Sequence, residues 1–162
     1  MFQRIKNILL GETFSYDINL SLNKVLDKFD DLFINKSGLS QRPNLTGDFV
    51  DYPNGFYLTN KYSDSPIRGN RRIINLYGKI ESISNDKTKI IVTIQPNTGA
   101  LLILAFSILL SIILIIIRLF QSNKIMYSQL IGFPIISVVL IVAIISSFNK
   151  LKNSFEEFIL SE

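Results

Sequence analysis

The sequence predicts an α+β fold in which a small antiparallel sheet with one or two helices is joined to a hairpin of two transmembrane helices. Three observations favour this fold. The stretches 100–117 and 130–148 contain no charged residue. Charged and polar residues recur every few positions from residue 1 to residue 96. Within that first part, apolar residues alternate as in strands, except for one segment with helical spacing.

Each uncharged stretch is long enough to cross a bilayer as a helix. A helix rises about 1.5 Å per residue and the hydrocarbon core is about 30 Å thick, so about 20 apolar residues are needed. Spans at about 100–120 and 130–148 meet this length. The predicted units are therefore a cytoplasmic α+β domain at 1–96, a transmembrane hairpin at 97–148, and a C-terminal amphipathic helix at 149–162 whose apolar side could pack on the α+β domain.

Basic residues near the spans predict the orientation of the hairpin. Two spans leave both chain ends on the same side of the cell membrane. The loop between the spans carries Arg118 and Lys124. The flanking segments carry five lysines, namely Lys79, Lys87, Lys89, Lys150 and Lys152. Because positive charge is enriched on the inner side, both ends are expected in the cytoplasm.

The soluble-type part predicts the element order β-α-β-β-β-β. The turn sequence Tyr52-Pro-Asn-Gly55 predicts a hairpin between the second and third strands. The first ten residues fit either a short amphipathic helix on the membrane surface or a frayed terminus. The predicted elements are strands at 14–20, 47–51, 56–59, 73–83 and 89–95 and a helix at 21–33. The predicted core is Phe14, Ile18, Leu26, Phe29, Phe49, Phe56, Leu58, Leu76, Ile80, Ile90, Val92 and Ile94.

The composition argues against most kinds of catalysis. The chain contains no cysteine and no histidine, so it lacks thiolate chemistry, the usual general base at neutral pH and the commonest metal ligands. The densest acidic group, Asp27, Asp30 and Asp31, lies beside lysines and lacks the alternating pattern of a calcium loop. No catalytic residue, metal site or cofactor is predicted.

One basic segment is a candidate binding site. Arg68, Arg71 and Arg72 occur within six residues of one another, and the guanidinium fork suits phosphate and carboxylate groups. One hypothesis is that they bind anionic lipid headgroups or a small anionic ligand. The alternative is a solvated turn that protects the end of the sheet from aggregation. The segment has no interleaved aromatic residue and the net charge is only +4, so nucleic acid is not an expected partner.

The predicted spans contain serine but no charge. Ser107, Ser111 and Ser137 could form a polar seam for helix pairing or for a homo-oligomer. Alternatively, each hydroxyl bonds only to the backbone of its own helix. The absence of intramembrane charge argues against an ion or proton pathway.

Short motifs along the chain form a recognisable pattern. They comprise Phe14, Leu20, Val25, Gly47-Asp-Phe49, Phe56, Arg71, Gly78-Lys-Ile80, Thr88, Ile90, Val92, Phe155 and Phe158. This pattern resembles a loosely defined group of small bacterial membrane proteins with no established function. The resemblance implies an N-terminal β-α-β-β-β-β domain, two spans and a short terminal helix. A weaker similarity is to helix-grip lipid-binding folds, in which an antiparallel sheet closes on a terminal helix.

These observations lead to one main functional hypothesis and two alternatives. The main one is a membrane-anchored interaction or sensor module without catalytic activity. The first alternative is a ligand-gated effector that perturbs the membrane or forms a pore. The second is a domain that binds a lipid or another small ligand. In each case the lipid bilayer is the expected partner.

Overall fold

The computed structural model describes residues 2–34, 45–60, 73–120 and 127–160. Four helices and five strands are found in this part of the chain. In chain order they are α1 (Phe2–Leu10), β1 (Glu12–Ile18), α2 (Leu22–Ile34), β2 (Leu45–Asp51), β3 (Gly55–Asn60), β4 (Ile74–Ser84), β5 (Lys87–Pro96), α3 (Thr98–Phe120) and α4 (Tyr127–Leu160).

The strands form one antiparallel sheet in the order β1-β5-β4-β3-β2. The predicted α+β class is thereby confirmed. Three of the four strand pairs join strands that are consecutive in the chain, namely β2–β3, β3–β4 and β4–β5. The fourth joins the first strand to the last, with Glu12 opposite Ile94 and Phe14 opposite Val92. As a result, the start of the sheet lies beside the strand that leads into α3.

The core lies between one face of the sheet and the helices α2 and α4. From Ile74 to Ile80 in β4 and from Thr88 to Pro96 in β5 every second residue is buried, because successive side chains of a strand point to opposite faces. Helix α2 contributes five buried residues at helical spacing, Val25, Leu26, Phe29, Leu32 and Phe33. Most of the predicted core is buried, whereas Phe14, Ile18 and Phe49 are only partly buried and pack against its margin.

Aromatic rings fill the centre of this core. The ring of Phe29 lies 4.4 Å from that of Phe56 and 5.2 Å from that of Phe158, measured between centroids. Phe155 is stacked against Phe56 at 6.2 Å. Gly78, on the inner face of β4, leaves the space that the Phe56 ring occupies. The absence of a side chain at Gly78 is therefore a packing requirement.

Helix α4 is a single helix of 34 residues. The helix expected at 149–162 is not a separate element, because residues 149–160 continue α4 without a break. The segment after Phe148 contains no Gly or Pro, so nothing in the sequence ends the helix there. Five buried residues recur at helical spacing across the expected boundary and form what we call the apolar stripe: Ile144, Phe148, Leu151, Phe155 and Phe158.

The start of α4 also differs from expectation. The second span is predicted to begin at residue 130, whereas α4 begins at Tyr127 and Pro134 lies inside it, seven residues after its start. A proline removes one backbone hydrogen bond from a helix, and apolar helices tolerate this when neighbouring groups satisfy the freed carbonyl.

Both long helices are apolar over most of their surface. The segments Thr98–Ile117 and Gly132–Leu160 are long and apolar enough to cross a membrane. Only 11% of the most apolar part of the first and 17% of that of the second are buried within the protein. A helix from the core of a soluble protein would be mostly buried, so these two helices need another apolar environment.

We predict that Gly78→Ala destabilises the domain by ~1–3 kcal/mol, because the added methyl group would overlap the Phe56 ring. Gly132→Ala in α4 is the matched control, since no atom lies within 4 Å of the added methyl group and alanine favours the helix. Thermal unfolding of both variants in detergent, followed by circular dichroism, should give a lower Tm for the first only. An unchanged Tm for Gly78→Ala would contradict the packing described above.

Candidate functional site

The predicted arginine site lies outside the described residues. Arg68, Arg71 and Arg72 belong to the segment between β3 and β4, which the structure does not describe. The flanking strands locate its two ends, because β3 ends at Asn60 and β4 begins at Ile74. Ile74 is opposite Pro96 in the sheet, so the segment is followed by β4 at the end of the sheet where β5 leads into α3.

Asn97 forms the junction between sheet and hairpin. It is the single residue between β5 and α3. Its backbone N–H donates to the carbonyl of Ile73 at 2.8 Å, and its side-chain oxygen accepts from the N–H of Gly99 at 2.8 Å. Asparagine is among the preferred residues for capping a helix N-terminus, because its side chain satisfies a free backbone N–H group. This cap leaves little freedom between the sheet and α3.

A buried pair of serines joins the two long helices. The hydroxyl oxygens of Ser107 on α3 and Ser137 on α4 are 2.8 Å apart, and both side chains are less than 10% exposed. Ser107 Oγ also lies 2.9 Å from the Leu104 carbonyl, and Ser137 Oγ lies 3.1 Å from that of Phe133. Each hydroxyl has one proton, so one serine donates to its partner while the other donates to its own helix. The serine pair therefore joins the two helices and also bonds to the backbone of its own helix.

Ser111 differs from this pair. Its hydroxyl donates to the Ser107 carbonyl at 2.7 Å, within its own helix. The polar seam between the helices thus consists of Ser107 and Ser137, and both hydroxyls point into the hairpin.

Strand β1 is held against α4 by two aromatic residues. Phe14 contacts Phe148, with ring centroids 6.2 Å apart, and the Lys152 ammonium lies 4.2 Å from the centre of the Phe14 ring. Two residues along β1, the Tyr16 hydroxyl donates to Glu156 at 2.9 Å. Burial, the hydrogen bond to Glu156 and the negative charge of that carboxylate all raise the pKa of Tyr16.

The opposite face of the sheet is polar and open to solvent. The hydroxyls of Thr13 and Thr93 lie 2.9 Å apart across β1 and β5. The rings of Tyr57 and Tyr77 pack with centroids 5.4 Å apart, and the Tyr57 hydroxyl donates to Asn75 at 3.4 Å. Tyr77 remains 41% exposed. We call the surface around Tyr57, Asn75 and Tyr77 the tyrosine face.

A groove of about 850 Å³ lies at the end of the sheet away from α3. Its charged lining mixes Lys24 and Lys28 with Asp17, Asp27 and Asp31. Burial lowers the pKa of Lys28. The mixture of charges does not favour an anionic ligand. Among the described residues, no group of acidic side chains could hold a metal ion.

No protein-family model matches this chain, and no curated protein matches it. The candidate surfaces are therefore compared on their geometry and chemistry alone.

One contact between the sheet and α4 could not be found from sequence, whereas the cap of α3 could. The hydrogen bond between Tyr16 and Glu156 joins residues 140 positions apart, and no local pattern pairs them. The Asn97 cap did leave a signal, since an asparagine shortly before an apolar run is typical of a helix start. The sequence interpretation used this segment only as the end of the sheet.

Tyr16 gives a prediction for alkaline pH. Its pKa is raised in the folded state, so the unfolded chain loses its proton first as the pH rises above about 10. The stability that Tyr16 contributes is therefore complete below that pH and is lost progressively above it. We predict that Tyr16→Phe lowers stability by about 1 kcal/mol at neutral pH and makes its decline above pH 10 less steep.

The measurement is denaturant unfolding in detergent across this pH range. Tyr52→Phe, which removes a hydroxyl from an exposed ring, is the control and should keep the wild-type profile. Parallel profiles for wild type and Tyr16→Phe would contradict the assigned role of the hydroxyl.

Proposed function

We propose that the protein is an integral membrane protein that anchors a small, non-catalytic interaction module to the cytoplasmic surface of the cell membrane. One observation carries the proposal. Helix α4 continues from the apolar hairpin into the core of the α+β domain without a break. The anchor and the module are therefore one unit, and Tyr77 on the tyrosine face of the sheet is 41% exposed.

The exposed surface of the hairpin supports insertion into a bilayer. On α3 the exposed side chains include Leu102, Phe106, Leu109 and Ile113. Contiguous apolar surface of this extent is rare on soluble proteins, whereas a helix of 23 residues, about 35 Å long, matches the hydrocarbon core. The buried serine pair supports an anchor more than a pore, because its hydroxyls are used between the two helices.

The packing of α4 supports a topology with both ends on one side. The sheet precedes the hairpin in the chain, and the last three turns of α4 follow it. These two parts pack together through Phe155 and Phe158, which requires them to lie on the same side of the bilayer. The excess of lysine in the flanking segments favours the cytoplasmic side.

The tyrosine face supports binding of a partner. Tyrosine is enriched at protein interfaces because it offers a large apolar ring with a polar end. The opposite face of the sheet is already filled by Phe29, Phe56 and Phe155, all of which are fully buried. In a lipid-binding fold the lipid lies between the sheet and the terminal helix, and here these phenylalanine rings fill that space. We therefore favour binding of a partner at the outer face of the sheet.

The topology can be tested with single cysteines, because the chain has none of its own. We expect Ser122→Cys, in the loop between α3 and α4, to react with a membrane-impermeant maleimide on intact cells. Ser84→Cys, at the β4–β5 turn, should react only after the cells are opened. Reaction of both variants on intact cells would contradict the cytoplasmic orientation, and release of the protein by alkaline carbonate would contradict insertion.

The partner surface can be tested by site-specific photocrosslinking in native membranes. A photoreactive residue at Tyr77 should give a discrete adduct, and Tyr57→Ala should weaken it because the two rings pack together. The same photoreactive residue placed at Asn23, which is exposed on α2, is the control and should give no adduct. Equal labelling at both positions, or none at Tyr77, would argue against recognition through the tyrosine face.

A further inference from the structure

Helix α1 leads into β1 at the end of the sheet that is next to the hairpin. Gly11 links it to β1 with a φ of 95°, a conformation that glycine adopts without strain. Strand β1 begins at Glu12, opposite Ile94, two residues before the end of β5. Helix α1 packs against β5 and α4, and Ile8 is only 1% exposed. The end of α1 therefore lies beside the last residues of β5, the strand that leads into α3.

The basic residues of α1 are exposed on two sides of the helix, because Arg4 and Lys6 are two positions apart and point in different directions. Arg4 and Lys6 are exposed, and the helix contains no acidic residue. Leu10, at its last position, is 72% exposed. A helix with one apolar side, exposed basic residues and an exposed leucine is typical of segments that lie in the interface of a membrane.

The serine pair shows which residues of α3 and α4 lie at the same height along the hairpin. Ser107 is opposite Ser137, so nine residues along each helix bring Thr98 level with Ser146. Lys150 is four residues further, about 6 Å along the axis of α4, and it is exposed. Thr98 and Lys150 thus bracket the layer immediately outside the apolar spans. Gly11, which follows α1, lies close to Gln95, three residues before Thr98.

We propose that α1 binds the headgroups of anionic phospholipids through Arg4 and Lys6. The inference rests on the proposed insertion of the hairpin, and it identifies the lipid class that the protein selects at its cytoplasmic surface. Anionic lipid on that leaflet attracts basic residues near the surface. Because Ile8 holds α1 on the protein, the two cationic groups are presented at a fixed height and need no separate folding step.

The absence of tryptophan makes a direct test possible. Leu10→Trp places a single fluorophore on α1, about one turn from Lys6, and the exposed position accommodates the larger ring. The full chain is reconstituted into phosphatidylcholine liposomes with a minor fraction of phosphatidylglycerol. Bromine atoms near the carboxyl end of the acyl chains are carried either by the phosphatidylglycerol or by an equal mole fraction of phosphatidylcholine. Quenching by each lipid then measures its local concentration.

We expect brominated phosphatidylglycerol to quench the tryptophan at position 10 several-fold more strongly than brominated phosphatidylcholine. A basic residue near an anionic surface is worth about fivefold in local affinity. Adding Arg4→Gln and Lys6→Gln should abolish the preference, and raised salt should weaken it. Lys24→Gln with Lys87→Gln removes the same charge from exposed positions at the far end of the sheet and should leave the preference intact.

A second reporter separates this inference from the proposed insertion. Leu109→Trp lies on the exposed apolar side of α3 and should be quenched equally by both lipids. Without quenching at position 109, insertion itself is wrong and the inference falls with it. With quenching at position 109, equal quenching at position 10 by the two lipids overturns the inference alone. A preference that survives Arg4→Gln with Lys6→Gln overturns it as well.

Discussion

The apolar stripe on α4 connects the two halves of the molecule. Ile144 and Phe148 belong to the hairpin, whereas Leu151, Phe155 and Phe158 belong to the domain core, and one uninterrupted helix presents all five in register. The sheet, α1 and α2 all contact this helix. Since each buried aromatic side chain contributes on the order of 2–3 kcal/mol, the stripe supplies a large share of the packing in so small a domain.

This arrangement limits how the domain can move relative to the hairpin. The β5–α3 connection is one residue long and is held by the hydrogen bonds of Asn97. The second connection is a continuous helix, which bends sharply only at a proline, a glycine or an inserted group. None of the residues between Phe148 and Leu160 is a proline or a glycine. The outer face of the sheet is therefore expected to keep a constant orientation relative to the two apolar helices.

Local patterns were sufficient to predict most of the elements. The alternation in β4 and β5, the helical spacing in α2 and the length of the uncharged stretches each depend on neighbouring residues only. The continuation of α4 beyond Phe148 was not predicted, because the charged residues that follow mark the end of the uncharged stretch and do not end the helix. Charge marks where a helix leaves an apolar environment, but only Pro, Gly or a capping group ends its hydrogen bonding.

Contacts between distant residues were beyond such reasoning. The pairing of β1 with β5, the contact of Tyr16 with Glu156 and the approach of Phe56 to Gly78 depend on the fold as a whole. The position of α1 also belongs to this class. Its amphipathic pattern could be predicted from the sequence, but its location beside the end of β5 follows from the β1–β5 register. The arginine segment remains a prediction, since it lies outside the described residues.

The order of the chain has a consequence for how the protein is made. Phe155 and Phe158 complete the core that Phe29 and Phe56 begin, yet they lie near the end of α4, after the apolar parts of both long helices. During synthesis, the sheet therefore emerges with its inner face uncovered and stays so until the end of α4 has left the ribosome. Exposed apolar surface of this kind promotes aggregation. With the hairpin inserted as we propose, the domain closes only after both apolar helices have been made and delivered to the bilayer.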